Sequence, residues 1–213
     1  MVIAGVSSDR GKWSNIMFRR LLDGPFDGEL IAVNPARSEV EGQPCYASLR
    51  DVPGEVDYVQ LLVAREHTVD AVRDCVARKV PVVHVLSSGF GEVSGEGPGL
   101  QSALVEALAG GASALIGPNS LGLYSAGHGL CFSDGCHFDP GPVTFISQSG
   151  ALCTDVLAQG QIRGVKFSKV LSVGNCADLD WPDYVRYCRH DPETGIAVFY
   201  IESTSNGRAL MKN

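Results

Sequence analysis

Short apolar strands alternate with helix-length segments along the 213 residues, and this alternation restricts the fold more than any other feature. Runs rich in β-branched residues lie at 2–6, 29–33, 56–63, 80–86 and 112–116, and apolar residues at helical spacing occur at 16–22, 67–79 and 100–108. Such βαβ units form a parallel sheet, and ligands bind outside the carboxyl ends of its strands. The pattern therefore predicts an α/β fold with its site at that edge.

A second series of strands and helices follows a Gly-, Ser- and Asp-rich stretch without sustained periodicity. Strands are predicted at 143–146, 168–173 and 196–201, and helices at 151–159 and 181–188. We therefore expect a first domain at 1–123, an irregular linker at 124–142 and a partial second domain at 143–213. Three parallel strands leave an open edge, which predicts a homodimer or packing of 124–142 over the sheet, and fraying of 207–213.

Charge and hydropathy exclude several classes of partner. The net charge of −7 argues against nucleic acid, which requires a basic face. No apolar run approaches the roughly 18 residues of a membrane span, and no signal-like segment precedes the first strand, so we expect a cytoplasmic protein without a membrane partner. Arg10, Lys12, Arg37 and Arg65 follow predicted strands, which fits either a local basic rim or scattered surface charge.

The seven cysteines are odd in number and form no C-x-x-C pair, which predicts reduced and mostly buried thiols. One cluster contains residue types that ligate metals, namely His128, Cys131, Cys136 and His137. Its spacing matches no familiar zinc pattern, so we predict no metal.

The loop after the first strand has features of a phosphate-binding turn. Gly5 and Gly11 lie between the strand and the following helix, where backbone N–H groups can approach a phosphate or pyrophosphate closely. The strict G-x-G-x-x-G pattern is absent, so an ordinary βα turn explains this loop equally well when it is taken alone.

Six short motifs, in order and spacing, resemble those of the α-subunit half of the nucleoside-diphosphate-forming acyl-CoA synthetases. This superfamily contains succinyl-CoA synthetase and the ADP-forming acetate–CoA ligases. The motifs are VNP at 33–35, SSGF at 87–90, GPNSLG at 117–122, ISQSGAL at 146–152, FSK at 167–169 with SVGN at 172–175, and YIE at 200–202. The resemblance covers essentially the whole chain. It implies a Rossmann-like CoA-binding domain and the start of a flavodoxin-like ligase domain, both with parallel sheets.

The resemblance also implies that coenzyme A, or an acyl-CoA, lies across the strand ends of the first domain. The implied contacts run from the nucleotide at the first two loops, past the adenine and the pantetheine arm, to the thiol. In that order they are Gly5, Ser7, Arg10, Lys12, Ser14, Asn34, Pro35, Arg37, Val63, Ala64, Ser87, Ser88, Gly89 and Asn119. The family often has cysteine after this last asparagine, whereas this chain has Ser120, which puts a thiol-dependent role there in doubt.

In the second domain the resemblance implies acyl-phosphate and phosphohistidine chemistry. Ser147, Gln148, Ser149 and Gly150 stand where a helix begins and would bind phosphate, and Glu202 matches the carboxylate that orients the phosphohistidine. None of the five histidines matches the family's histidine loop, so we expect this chain alone to be inactive. That loop, and an ATP-grasp partner binding ATP or ADP and Mg, would lie outside it.

Two functions therefore stay open. The chain could be the CoA-binding portion of an acid–CoA ligase. The alternative is a non-catalytic CoA or acyl-CoA sensor module, like the ligase-like regions fused to protein acetyltransferases. The identity of the acyl substrate does not follow from the sequence.

Overall fold

Two β-sheets with helices packed against them make up the computed structural model, which describes residues 1–212. The strands of the first sheet are β1 (Val2–Ala4), β2 (Ile31–Val33), β3 (Glu39–Val40), β4 (Gln43–Tyr46), β5 (Tyr58–Leu61), β6 (Val82–Val85) and β7 (Ala114–Ile116). Their spatial order is β3-β4-β2-β1-β5-β6-β7. The helices that connect them are α1 (Trp13–Asp23), α2 (Arg65–Ala77) and α3 (Gly97–Leu108). The predicted α/β architecture is confirmed.

The first sheet is parallel except at one edge, where β3 runs antiparallel to β4. The turn between them places both Glu41 (φ +51°) and Gly42 (φ +75°) in the left-handed region, as a two-residue hairpin turn of type I′ requires. The expectation that this sheet contains parallel strands alone is therefore wrong at this edge. The arms of the hairpin, two and four residues long, are too short to show a strand period.

The second sheet has four strands: β8 (Leu123–Ser125), β9 (Val143–Ser147), β10 (Phe167–Ser172) and β11 (Ile196–Tyr200). Their order is β11-β9-β10-β8, and the helices of this unit are α4 (Gly150–Ile162), α5 (Trp181–His190) and the short α6 (Gly207–Leu210). Residue 213, the last of the segment predicted to fray, lies outside the described residues. Among the helices of residues 1–212, none combines the length and apolarity needed to cross a membrane.

The second sheet also departs from a purely parallel arrangement. β8, which begins one residue before the stretch expected to be irregular, pairs antiparallel with β10, with Tyr124 opposite Val170. This strand covers the β10 edge of the sheet, which is one of the two ways in which we expected an open edge to be closed. The other edge is β11, whose residues are mostly exposed.

Alternating residues of the first sheet face two separate helical layers. Val2 and Ala4 pack with residues of α2 and α3, whereas Ile3 packs with Phe18 and Leu21 of α1. A strand buried on both faces reads as a continuous apolar run, which is why the predicted strands are apolar throughout. Full burial of a Val, Ile, Leu or Phe side chain contributes about 1.5–3 kcal/mol.

Two side chains of the first unit are buried in the core of the second. Met17 of α1 belongs to the cluster formed by β8, β9, β10 and α4, and Ile116 of β7 packs with Ile146 and Trp181. These contacts hold the two sheets in a fixed relative position, so the loops at their strand ends can form one site.

The cysteines only partly follow the expectation of free thiols. Cys131 and Cys136, whose Cα atoms are 6.8 Å apart, are joined in a disulfide. Four residues lie between them in the chain, and the short loop that they form brings the two sulfurs together. The five remaining cysteines are free, and four of them are buried.

Candidate functional site

The carboxyl ends of strands from both sheets meet at one edge of the molecule. The loop after β7 touches the loop after β6, since the Asn119 amide donates to the Ser87 carbonyl oxygen at 2.8 Å. It also touches the loop after β10, where the Asn175 amide donates to the Pro118 carbonyl oxygen at 2.9 Å. A Cβ atom at Gly174 would lie 2.0 Å from that same oxygen, so only glycine permits this approach. Four loops, 87–92, 117–122, 147–150 and 172–176, thus form one continuous surface.

The loop after β1 is held in a tight turn by its own side chains. The Ser7 amide donates to Ser14 Oγ at 3.1 Å, and the Gly11 amide donates to Asp9 Oδ1 at 2.9 Å. Gly5 has a φ of +90°, and a Cβ there would lie 2.5 Å from a backbone oxygen of the neighbouring strand end. The N-cap of α1, Lys12, makes no side-chain hydrogen bond to the first turn, so no capping side chain occupies the N-terminus of this helix.

The basic residues predicted to form a rim differ in their surroundings. Lys12 and Arg37 are exposed. Arg10 instead pairs with Glu41, with its Nη2 atom 2.8 Å from Oε2, and this hydrogen bond holds the pKa of the Glu41 carboxyl below its usual value. Glu41 lies on the unpredicted hairpin, so periodicity gave no signal for it. Arg65 pairs with Glu66 at 3.0 Å.

The remaining residues assigned to coenzyme A also lie at the strand ends. Asn34 joins the first two loops, because its Nδ2 donates to the Val6 carbonyl oxygen at 2.7 Å. Pro35 is exposed in the turn that follows. Ser87 Oγ donates to the Val63 carbonyl oxygen, and Ala64 occupies the N-cap of α2. The exposed Ser88 follows β6, as Gly89 does. The structure therefore brings these predicted residues to one edge.

A buried polar chain that the sequence analysis missed runs beneath this edge. His84 of β6 is 0% exposed, and its Nδ1 lies 2.6 Å from the Tyr58 hydroxyl while its Nε2 lies 2.5 Å from Ser120 Oγ. Ser120 Oγ donates to the Ser172 carbonyl oxygen at 2.7 Å. Because a hydroxyl carries a single proton, His84 must carry its proton on Nε2 and accept from Tyr58 at Nδ1.

Comparison with known protein families matches the chain in two consecutive parts. A family described as a CoA binding domain matches residues 1–126, and a succinyl-CoA ligase like flavodoxin domain matches residues 140–213. The chain belongs to the nucleoside-diphosphate-forming acyl-CoA synthetases. The predicted family membership is thereby confirmed, with both of its domain types in the expected order.

Relatives in this superfamily match along the whole chain. The ADP-forming acetate–CoA ligase I of Archaeoglobus fulgidus is 35% identical over 100% of this chain and 31% of its own length. The α-subunit of the ADP-forming acetate–CoA ligase II of Pyrococcus furiosus is 32% identical over 100% of this chain and 46% of its own. The chain thus spans a third to a half of the length of these relatives.

A solved member of the superfamily has the same fold. It is the dinucleotide-forming acetyl-coenzyme A synthetase 1 of Ca. Korarchaeum cryptofilum, determined in complex with phosphate and ADP. The two structures superpose with a TM-score of 0.89 at 32% sequence identity, over 99% of this chain and 46% of that one. Both sheets and their relative placement are therefore shared with an acyl-CoA synthetase.

The synthetase motif at 147–150 forms the start of α4. Ser149 is its N-cap, with Oγ accepting from the Leu152 amide at 3.3 Å, and Gly150 is the first helical residue. Ser147 is fully buried, and its Oγ accepts from the Ser149 amide at 3.0 Å. A Cβ at Gly150 would lie 3.0 Å from the Leu121 side chain, so α4 begins directly against the loop after β7.

Gln148 and Glu202, predicted for different roles in the synthetase site, are brought together. Gln148 Oε1 accepts from the Glu202 amide at 2.7 Å and from the Ser203 amide at 2.9 Å. The Gln148 side chain therefore fixes the backbone that carries Glu202, whose own side chain is exposed. In this structure the side-chain amide of Gln148 positions the backbone at Glu202 and Ser203.

Asp180 holds the next residues of the same loop and was not identified from the sequence. Its Oδ2 accepts from Thr204 Oγ1 at 2.8 Å and from Ser205 Oγ at 2.7 Å, and its Oδ1 accepts from the Trp181 amide at 2.7 Å. Burial acts to raise the pKa of Asp180, but these donors hold the pKa below its usual value. Its capping box with Asp183 was the available sequence signal.

Proposed function

We propose that this chain provides the CoA-binding part of an ADP-forming acid–CoA ligase. The observation that carries the proposal is the contact between the loop after β7 and the first turn of α4, where Gly150 lies against Leu121. A CoA thiol held at the first sheet and a phosphate held at α4 would then be within reach of one acyl group. Membership of a CoA-binding family and the relatives' names as acetate–CoA ligases support the proposal.

The residues at the strand ends receive specific roles in this proposal. Coenzyme A lies across the first sheet, with Lys12 and Arg37 near its phosphates. The acyl phosphate, in which the acid is activated, lies at the N-terminus of α4, where the helix dipole and free N–H groups favour an anion. Glu202 faces the phosphohistidine of the complete enzyme, on backbone that Gln148 and Asp180 hold in place.

Other parts of the reaction are proposed to come from outside this chain. They are the histidine loop and an ATP-grasp domain or subunit that binds ATP or ADP together with Mg. We also propose a cytoplasmic location and a homodimer formed through the exposed strand β11.

The proposal is tested by measuring coenzyme A binding calorimetrically with the wild type and with Lys12→Glu. Charge reversal beside a phosphate removes a charge-assisted interaction and adds repulsion, so we expect the Kd to rise about tenfold or more. Lys79→Glu is the matched control, since this exposed lysine lies between the end of α2 and the start of β6, at the opposite edge of the sheet. Equal Kd values for Lys12→Glu and Lys79→Glu would contradict the placement of coenzyme A.

A further inference from the structure

The carboxylate of Glu92 occupies a seat built from both units of the molecule. Its Oε1 accepts from the Gly89 amide at 2.5 Å, and its Oε2 accepts from the Phe90 amide at 3.1 Å. Asn175 Nδ2, from the loop after β10, donates to Oε2 at 2.6 Å. Three N–H donors therefore converge on one carboxylate at the junction of the two sheets.

Each donor is held in place by contacts that do not involve Glu92. Gly89 has a φ of +98°, a backbone conformation that glycine adopts without strain. The Phe90 side chain is fully buried in the core of the first unit. The backbone N–H of Asn175 donates to the Pro118 carbonyl oxygen at 2.9 Å. The backbone around the seat is therefore fixed by core packing and by a hydrogen bond between loops, in addition to the contacts of Glu92.

The orientation of the Asn175 side chain follows from its neighbours. Its Oδ1 accepts from Asn119 Nδ2 at 3.3 Å, and its Nδ2 also donates to Gln101 Oε1 at 2.9 Å. Since a carboxylate can only accept, the NH₂ group must be the part that faces Glu92. Burial acts to raise the pKa of Glu92, but the donors from Asn175 and Gly89 hold the pKa below its usual value, so the seat favours an anion.

We propose that this seat, formed by the Gly89 and Phe90 N–H groups and Asn175 Nδ2, is the subsite for the carboxylate of the acid substrate. Glu92 is then an internal stand-in that the acid displaces. This inference rests on the proposed acid–CoA ligase function and deepens it. The seat adjoins Asn119, at the end of the first sheet where the thiol of coenzyme A is placed. Glu92 lies in the exposed stretch 91–96, which leaves room for its side chain to move outward.

Monocarboxylate anions are favoured over inorganic phosphate as the occupant. The group that fills the seat in this structure is itself a carboxylate, with two oxygens matched by three donors. Phosphate carries more oxygens than these donors serve, and the N-terminus of α4 offers a separate place for it.

The test uses the ¹⁵N-labelled chain titrated at constant ionic strength with sodium acetate and, separately, with sodium phosphate. The amide shifts of Gly89 and Phe90 report binding. Removal of the internal competitor in Glu92→Ala should lower the acetate Kd about tenfold relative to wild type. Glu96→Ala removes the same charge four residues away, where the side chain makes no cap hydrogen bond, and should behave as wild type. If Glu92→Ala folds poorly, Glu92→Gln replaces it in the test, because it keeps the side-chain length. Glu92→Gln should lower the acetate Kd by a smaller factor.

The outcomes separate this inference from the function on which it rests. Saturable acetate shifts in Glu92→Ala that disappear in the double variant with Asn175→Asp support the subsite. An unchanged acetate Kd in Glu92→Ala and Glu92→Gln, or phosphate binding at the seat as tightly as acetate, overturns it. Calorimetry with coenzyme A runs in parallel. Acetate binding at the seat of a chain that does not bind coenzyme A would overturn the proposed function instead.

Discussion

His84 lies in the middle of a central strand and is hydrogen-bonded at both ring nitrogens, to Tyr58 and to Ser120. Burial lowers the pKa of His84 to about 3. An unfolded chain binds a proton at histidine near pH 6.5. Between about pH 6.5 and 3 the unfolded state therefore holds a proton that the folded state lacks, and stability contributed at this position falls as pH is lowered.

His84→Leu should accordingly have an effect that depends on pH. At pH 7 we expect the free energy of unfolding to fall by about 1–3 kcal/mol, because the Tyr58 and Ser120 hydroxyls lose a buried partner. Near pH 4.5 the difference in the free energy of unfolding between variant and wild type should be smaller. At that pH the unfolded wild type binds a proton at His84, which lowers the stability of the wild type, whereas the variant has no histidine there to protonate. Urea unfolding at both pH values measures this. The exposed His67→Leu serves as control, and an identical difference for His84→Leu at both pH values would refute the account.

Some residues of the site could be recognised from the sequence and others could not, and their contacts explain the difference. Gly5, Asn34, Asn119 and the 147–150 motif could be recognised because they follow strands or belong to motifs. Glu92 and Asp180 accept hydrogen bonds from backbone amides 1 to 26 residues away, and no hydrophobic periodicity marks such contacts. Their positions depend on tertiary packing, which the pattern of apolar residues does not specify.

Among the strands, β11 leaves apolar side chains and one backbone edge exposed to solvent. Ile196, Val198 and Tyr200 share one face of this strand and are 55%, 43% and 43% exposed. As the outer strand of its sheet, β11 also presents backbone groups on its free side. An apolar edge of this kind pairs readily with another chain.

We therefore expect weak self-association of the 213-residue chain, which Val198→Lys should abolish because a lysine on an edge strand opposes pairing. Light scattering across a range of protein concentrations gives the apparent mass. Val105→Lys is the control, since Val105 of α3 is similarly exposed, at 39%, but lies away from this edge. A wild-type mass that stays monomeric at every concentration would contradict the expectation.

The observed strands and helices also show which elements hydrophobic periodicity can predict. The five strands and three helices predicted for the first unit are all present, although α2 begins two residues, and α1 and α3 three residues, before the predicted segments. The strands that were missed are β3, β4 and β8, with two to four residues each. Strands this short contain at most two alternations, and β8 exists because it pairs with β10, which lies more than 40 residues later in the chain.

The two units pack against each other, and their strand ends face a common edge. Met17 and Ile116 cross from the first unit into the core of the second, and the loops after β6, β7 and β10 are joined by backbone hydrogen bonds. Two cavities of about 270 Å³ and 310 Å³ lie elsewhere, beside Leu22 and Gly28 and beside Gly127 and Pro142. We propose that coenzyme A lies on the shared edge and not in these cavities.

Amide hydrogen exchange with and without saturating coenzyme A tests this placement most directly. Exchange should slow in the loops at 5–15, 87–90 and 117–120, because their N–H groups are covered by the cofactor or bonded to it. It should stay unchanged in β11 and around the two cavities, which lie away from the proposed site. Protection confined to the residues lining either cavity, or no protection in the three loops while coenzyme A is bound, would contradict the account.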